Sequence, residues 1–492
     1  MDNHTPTRDK LFPTTPPHGN RRYSDKLAPP DSPRVTDISA AAHLSARHSA
    51  PAYTETDNWA GYTHPEGKIY HARGMSPRIV TEVDVKSDAI LRMVNAYVGL
   101  IFGWASELEL ELGSSIELFV EPLVASGACG YYLVDHGSRV IFWLQDCSVY
   151  DLKLPDASSP QNLKLVLEEN YWIHVELFSM HITELPGALD ELIAVYLHGR
   201  ADLATSTTST FPYSTKTADD HLDVLMRCRS MPTNPMTFTI IARLWSVIAN
   251  VRYRNLYGEE YSRLDRTIWI YDDQPKQPRL GLRYLSVFMF GLPNAIRKEL
   301  DEQVVDGIMI ACVWSTFIER RIVEWQTTMN WTFALIICSG ISVTVSPVPV
   351  LPHISFALTT AGLLSSTLLQ HRFKSLAGTD AVDDACAFMR EQKGQTMILA
   401  IVFSFPRAAL IWGLVLLASQ AIFVVFRRVA LSAGIIICML LFSIALCTGW
   451  CLYPSYRLTC FTPNFTLPGL PYGFLSQWSR RVERIRDAEH QD

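Results

Sequence analysis

Apolar and polar positions change their rhythm several times along the chain. Residues 1–56 have only scattered large apolar residues among Pro, Ser, Thr and mixed charge. Such a segment buries too little surface to offset its ordering entropy, which predicts a disordered N-terminal tail. Residues 57–85 then alternate around the turn signal "HPEGK", predicting two aromatic-bearing strands, with "RIVTEVDV" as a third. From an N-cap at Ser87 the period lengthens. Ile90, Leu91, Val94, Tyr97, Val98, Ile101 and Phe102 line one face of a core helix, whose uncharged run is too short to cross a bilayer.

"YYLVDHGSRVIFW" (131–143) predicts two short aromatic strands around a polar turn. Ser159 then caps a helix with Pro160 at its first position and Leu163, Leu167, Tyr171 and Phe178 facing a core. "TSTTSTFPYSTKT" (205–217) has the composition of a flexible linker, and residues 218–257 have a helical pattern. A stripe through Ile296, Leu300, Val304, Ile308, Ala311, Ile318 and Ile322 predicts one long amphipathic helix from about Asn294 to Trp325.

Beyond Trp325 the pattern becomes apolar. Trp325–Gln370 contains no Asp, Glu, Lys or Arg, room for two spans of about 20 residues turning at "SPVPVLPH". Met397–Phe426 carries one charge, Arg407, and Val429–Tyr453 carries none. The expected fold is mainly α: a four-helix C-terminal transmembrane bundle, a helical cytoplasmic region and a small antiparallel β module. The expected division is 1–56 tail, 57–85 β module, 86–325 helical region with the aromatic hairpin, 326–453 membrane helices and 454–492 tail. Lys and Arg near the span ends gather on the side shared by the front, the 371–396 loop and the tail, which predicts that both termini are cytoplasmic. Arg407 lies near mid-membrane if the third helix spans 397–418 and snorkels if it spans 408–426; the first placement avoids a two-residue turn.

Charge and candidate chemistry narrow the function. A net charge of −6 on 492 residues gives no reason to expect nucleic-acid binding. Ten cysteines are spread singly, without close CxxC spacing, as expected of reduced thiols. The first residues contain no apolar run of a secretory signal. His174, Glu176 and His181 in "WIHVELFSMH" have metal-ligand chemistry, but histidines seven apart on one helix lie about two turns from each other, so they are expected to be structural. The sequence has no Walker loop, GxGxxG, GxSxG, HExxH or kinase set, so no cofactor, metal or catalytic residue is assigned.

Two segments resemble WW domains, the three-stranded modules that clasp proline-rich peptides between aromatic rings. Trp59, Gly67 and Tyr70 match the fold core of the first half of such a domain, with Thr81 where a ligand-binding Trp belongs. Tyr132, His136 and Trp143 match the second half. That resemblance implies Tyr132 and Trp143 sandwiching a ligand proline, with Val134, His136 and Arg139 lining the neighbouring pocket. Two degenerate modules, or one module and a mimic, both fit. The whole layout resembles a family of uncharacterised fungal polytopic membrane proteins, through "HPEGKIY", "YYLVDH", "LVLEENYWIHVELFSMH" and "SFPRAALIWG". The expected function is a non-enzymatic interaction or scaffold protein of the bilayer that reads proline-rich partners. The alternative is a membrane enzyme or transporter using polar groups among its membrane helices.

Overall fold

In a computed structural model, the described residues are 6–17, 58–271 apart from 75, 279–345, 350–378, 382–392, 395–428 and positions 435, 439, 440 and 443. Seven strands form one mixed sheet: β1 (Leu11–Pro13), β2 (Trp59–Thr63), β3 (Ile69–Arg73), β4 (Arg78–Thr81), β5 (Ile116–Leu123), β6 (Ala128–Asp135) and β7 (Val140–Phe142). The order is β1-β6-β5-β4-β3-β2, and β7 also pairs with β6. β2, β3 and β4 meander antiparallel, but β4 runs parallel to β5, aligning Arg78–Val80 with Glu117–Phe119. Helix α1 (Asp88–Glu107) makes that parallel connection, as a crossover must.

Side chains alternate across the sheet. Leu118, Val120, Tyr131 and Leu133 pack with Val94, Tyr97, Val98 and Ile101 of α1. Phe119, Tyr132 and Val134 point the other way, into a core shared with α2 (Pro160–Leu177), α3 (Ala188–Thr205), α4 (Thr215–Cys228) and α5 (Pro235–Arg254). Both faces are covered, so "IELFVEPL" and "ACGYYLVD" are almost continuously apolar. Ser159 starts α2 as expected, its hydroxyl accepting the Asn162 N–H at 3.0 Å.

This sheet overturns the expected small β module. The turn at Gly67 (φ +98°) and its strands lie where the sequence puts them, but they are one side of a seven-stranded sheet. Trp59 packs toward α1 and Tyr70 toward α2, so no free WW-like module exists among the described residues. Turn signals report antiparallel neighbours; the parallel β4–β5 pairing across a 20-residue helix leaves no local trace. Three further expectations change. Leu11–Pro13 of the supposed tail pairs with β6, with Leu11 buried. The 205–217 "linker" carries Phe211 and Tyr213 onto Tyr196 of α3. The long amphipathic helix is broken into α7 (Leu292–Asp301) and α8 (Ala311–Val345), after α6 (Leu280–Phe288). Asp306 and Gly307 between them have positive φ, and Asp306 is held by a buried ion pair with Arg263.

The remaining helices are α9 (Val350–Lys374), α10 (Val382–Glu391) and α11 (Thr396–Arg428). A four-helix transmembrane bundle is not what the described residues contain. Two helices among them are long and apolar enough to cross a membrane, α1 and α11, and α1 packs on the sheet. From Trp325 on α8 and as far as Gln370 on α9 the chain lacks charge but is rich in Ser and Thr, whose hydroxyls bond back to carbonyls one turn earlier, so uncharged does not mean apolar here. The expected fourth span and the C-terminal tail lie outside the described residues, apart from the four single positions in 435–443. The chain divides into two compact units, Met1–Thr332 with Ala361–Ala409, and Phe333–Thr360 with Leu410–Asp492.

Candidate functional site

One carboxylate in the first unit has no exposure to water. Glu117 lies on β5 between Ile116 and Leu118, and the two-residue period turns it, with Phe119, toward α2. Three imidazoles converge on it. His174 Nε2 lies 2.8 Å from Oε1, while His181 and His136 Nε2 lie 3.1 and 3.2 Å from Oε2. Arg78 of β4, one strand over, brings its Nε to 3.2 Å from Oε2.

Each histidine is placed by a different device. His174 is in the last turn of α2. His181 ends the single 3-10 turn Ser179–His181 that follows, so the chain bends and the two rings meet although their spacing along one helix would part them. His136 begins the β6–β7 turn, its N–H donating to the Ser115 carbonyl at 3.0 Å. There Asp135 accepts from the Gly137 N–H and the Ser138 hydroxyl, closing the turn.

On the far side of each ring stands a phenol. Tyr132 lies 3.0 Å from His174 Nδ1, Tyr70 3.1 Å from His181 Nδ1 and Tyr171 3.3 Å from His136 Nδ1. The proton positions follow. An ionised carboxylate only accepts, so each Nε2 carries a proton and donates it to Glu117. At His174, which burial keeps neutral, Nδ1 is then unprotonated and the Tyr132 O–H donates to it. Burial pushes the ionisation of Tyr70, Tyr132 and Tyr171 upward, so the phenols keep those protons.

The electrostatics balance in the same direction. Burial pushes the Glu117 carboxyl up, but the pull of His181 and the three imidazole hydrogen bonds outweigh it, and the net position is well below the ordinary carboxylate range. Burial holds His174 below the ordinary imidazole value despite its bond to Glu117. The charge of Glu117 is offset by Arg78, whose side chain is 27% exposed. The node therefore ties β3, β4, β5, β6, the β6–β7 turn, α2 and the 3-10 turn to one anion. Its residue types suit a metal, yet among the described residues no group of three or more His, Cys, Asp or Glu is arranged to hold one. The carboxylate itself occupies the point on which the three rings converge.

The expected site residues fall elsewhere than a peptide groove. Tyr132 and Val134 are fully buried. His136 belongs to the node, and Arg139 makes two hydrogen bonds to Glu191 and one to the Pro186 carbonyl. Trp143 is half-buried, and its indole N–H donates to the Thr14 carbonyl at 2.9 Å. The expected pair does not form an open groove, since Tyr132 is buried and the Trp143 indole is bonded to Thr14. Of the metal-like trio, His174 and His181 do meet, but Glu176 turns away to Arg243 at 2.8 Å. Glu117, the centre of the node, is absent from the residues that motif and spacing single out. Its signal is an acid at the second position of an apolar strand, in phase with Phe119.

Arg407 on α11 is not isolated either. Its Nη1 lies 2.9 Å from Glu324 Oε1, Glu324 also meets Arg321 at 2.6 Å, and Arg321 and Arg320 both reach Glu299. The Arg407 side chain is 56% exposed. Arg407 thus stands in a ladder of ion pairs rather than alone among apolar side chains. No protein-family model, curated protein or solved structure matches the chain.

Proposed function

We propose that this chain is a membrane-anchored, non-enzymatic protein, with α11 entering the bilayer and the α/β domain serving as a rigid body for interaction. The observation that carries the membrane reading is the inverted pattern of the second unit. Ser339, Ser355, Thr359 and Gln420 are buried there, while Phe333, Ile337, Ile341, Leu414 and Val415 are exposed. The buried polar groups are bonded: Ser339 to Ser355 at 3.1 Å, Ser355 to the Gly413 carbonyl at 3.1 Å, and Gln420 to the Ser342 carbonyl at 3.3 Å. Water favours the reverse arrangement, whereas hydrocarbon favours bonded polar groups inside and apolar side chains outside.

Along α11, Leu399, Ala400 and Phe403 pack with Trp325 and Phe373, while Ile398, Val402, Leu414, Val415 and Phe423 are exposed, an apolar outward face suited to lipid. The non-enzymatic reading draws on the sealed Glu117 node, where no substrate atom can reach the carboxylate. The exposed Leu280, Tyr284, Val287 and Phe288 of α6 are an apolar surface suited to contact instead. The transporter alternative loses support, because its one candidate charge is neutralised by Glu324. Alkaline carbonate extraction of membranes containing the full-length protein tests the reading. Retention in the pellet until detergent is added is expected, and release by carbonate alone would overturn it.

A further inference from the structure

A cavity of about 360 Å³ opens in the first unit between the C-terminal half of α5 and the residues joining α7 to α8. Its volume is in the range of small-ligand sites. Two guanidinium groups line it, Arg254 at the end of α5 and Arg266 in the following loop. Neither forms an ion pair with a carboxylate among the described residues; Glu169 near Arg254 is taken by Asn250, and Asp265 near Arg266 is bonded to Thr208 and Thr267. Arg263, also in the wall, is different, being closed off by its buried pair with Asp306.

Two polar atoms of the lining residues are buried without a partner: Arg266 Nε, a donor, and Gln303 Oε1, an acceptor. The one acid in the wall, Glu302, has Lys298 4.0 Å away to share its charge. Hydrocarbon also lines it, from Val251, Ile308, Met309 and Val313. The cavity thus combines a cationic with an apolar lining.

We infer that this cavity binds a phosphate monoester bearing an apolar tail, the phosphate on Arg254 and Arg266 and the tail along Ile308, Met309 and Val313. Two unpaired cations match a head group of nearly two negative charges, and planar guanidinium forks suit phosphate oxygens. Inorganic phosphate would leave the apolar wall wet, and an alcohol of equal length would leave both arginines uncompensated. The chemistry is shared by a soluble phosphoester and by a phosphatidic acid headgroup. The inference does not depend on the membrane reading, since every lining residue named lies in the first unit.

The test is calorimetric titration of the full-length protein in neutral detergent with hexyl phosphate, inorganic phosphate and hexanol. Hexyl phosphate is expected to bind at least roughly tenfold more tightly than either fragment. Arg266→Gln should weaken it by about tenfold or more, as the loss of a charge-assisted pair does. Met309→Trp, which fills apolar volume and leaves both arginines, should abolish hexyl phosphate binding with far-ultraviolet dichroism and melting temperature unchanged. Equal affinity for inorganic phosphate would overturn the apolar half of the inference. Unaltered binding in either variant, or no binding by the wild type, would overturn the whole. Competition by phosphatidic acid in nanodiscs assigns the ligand to the bilayer, and its absence assigns it to a soluble phosphoester; the site stands on either result.

Discussion

Replacing Glu117 by Gln changes one oxygen of a buried carboxylate into an NH2 group and removes a charge, with no change of shape. The amide nitrogen must then face imidazole N–H groups that now donate to Glu117. The least costly arrangement puts it opposite His174, which can switch its proton to Nδ1. Tyr132 must then accept that proton, and its own hydroxyl proton loses its acceptor. One buried donor left unmet costs about 1–3 kcal/mol, and weakening the two bonds from His136 and His181 adds about 1 kcal/mol each. Arg78 loses its counter-charge, but it is partly exposed and adds at most about 1 kcal/mol. The sum is about 3–6 kcal/mol, or roughly 10 °C in the melting temperature of a domain this size.

Thermal melting of the full-length protein in detergent, followed by near-ultraviolet dichroism, measures the loss. A shift under about 2 °C would refute the pattern of donors and acceptors around Glu117. The pH dependence gives an independent check. Below about 6.5, the ordinary imidazole value, the unfolded chain protonates His174 while the folded chain, whose value is lowered, does not; stability therefore falls as pH drops. A second loss begins near 4.5, where the unfolded chain protonates Glu117 first, and it continues down to the lowered folded value. Glu117→Gln should remove that second loss and keep the first.

Other outcomes follow from the same structure. Arg407→Leu should cost no more than about 1 kcal/mol and leave membrane retention unchanged, because its pair with Glu324 is exposed; loss of insertion, measured by carbonate extraction, would contradict the placement of the span. At Gly413 an added Cβ would lie 2.5 Å from Thr359 Cγ2, so Gly413→Leu should destabilise the second unit by about 1–3 kcal/mol, read as loss of resistance to proteolysis. Proline-rich peptides should leave the NMR signals of Tyr132 and Trp143 unmoved, since one ring is buried and the other is tied to Thr14; a saturable shift would restore the groove.

What the sequence determined by itself was local. The Gly67 turn, the Tyr132–Trp143 hairpin, the cap at Ser159 and the α1 stripe from Leu91 to Ile101 each lie within one element, where side-chain period and turn chemistry act over a few residues. The tertiary structure alone decided three things. It joined β4 to β5 in parallel, because a pairing across a whole helix depends on the core that covers both sheet faces. It brought His136, His174 and His181 to Glu117, since a carboxylate can lie among apolar residues only where distant donors satisfy it. It also separated uncharged from apolar along α8 and α9: a hydroxyl bonded to its own helix and a side chain facing outward look alike in a count of charges, and only burial tells them apart.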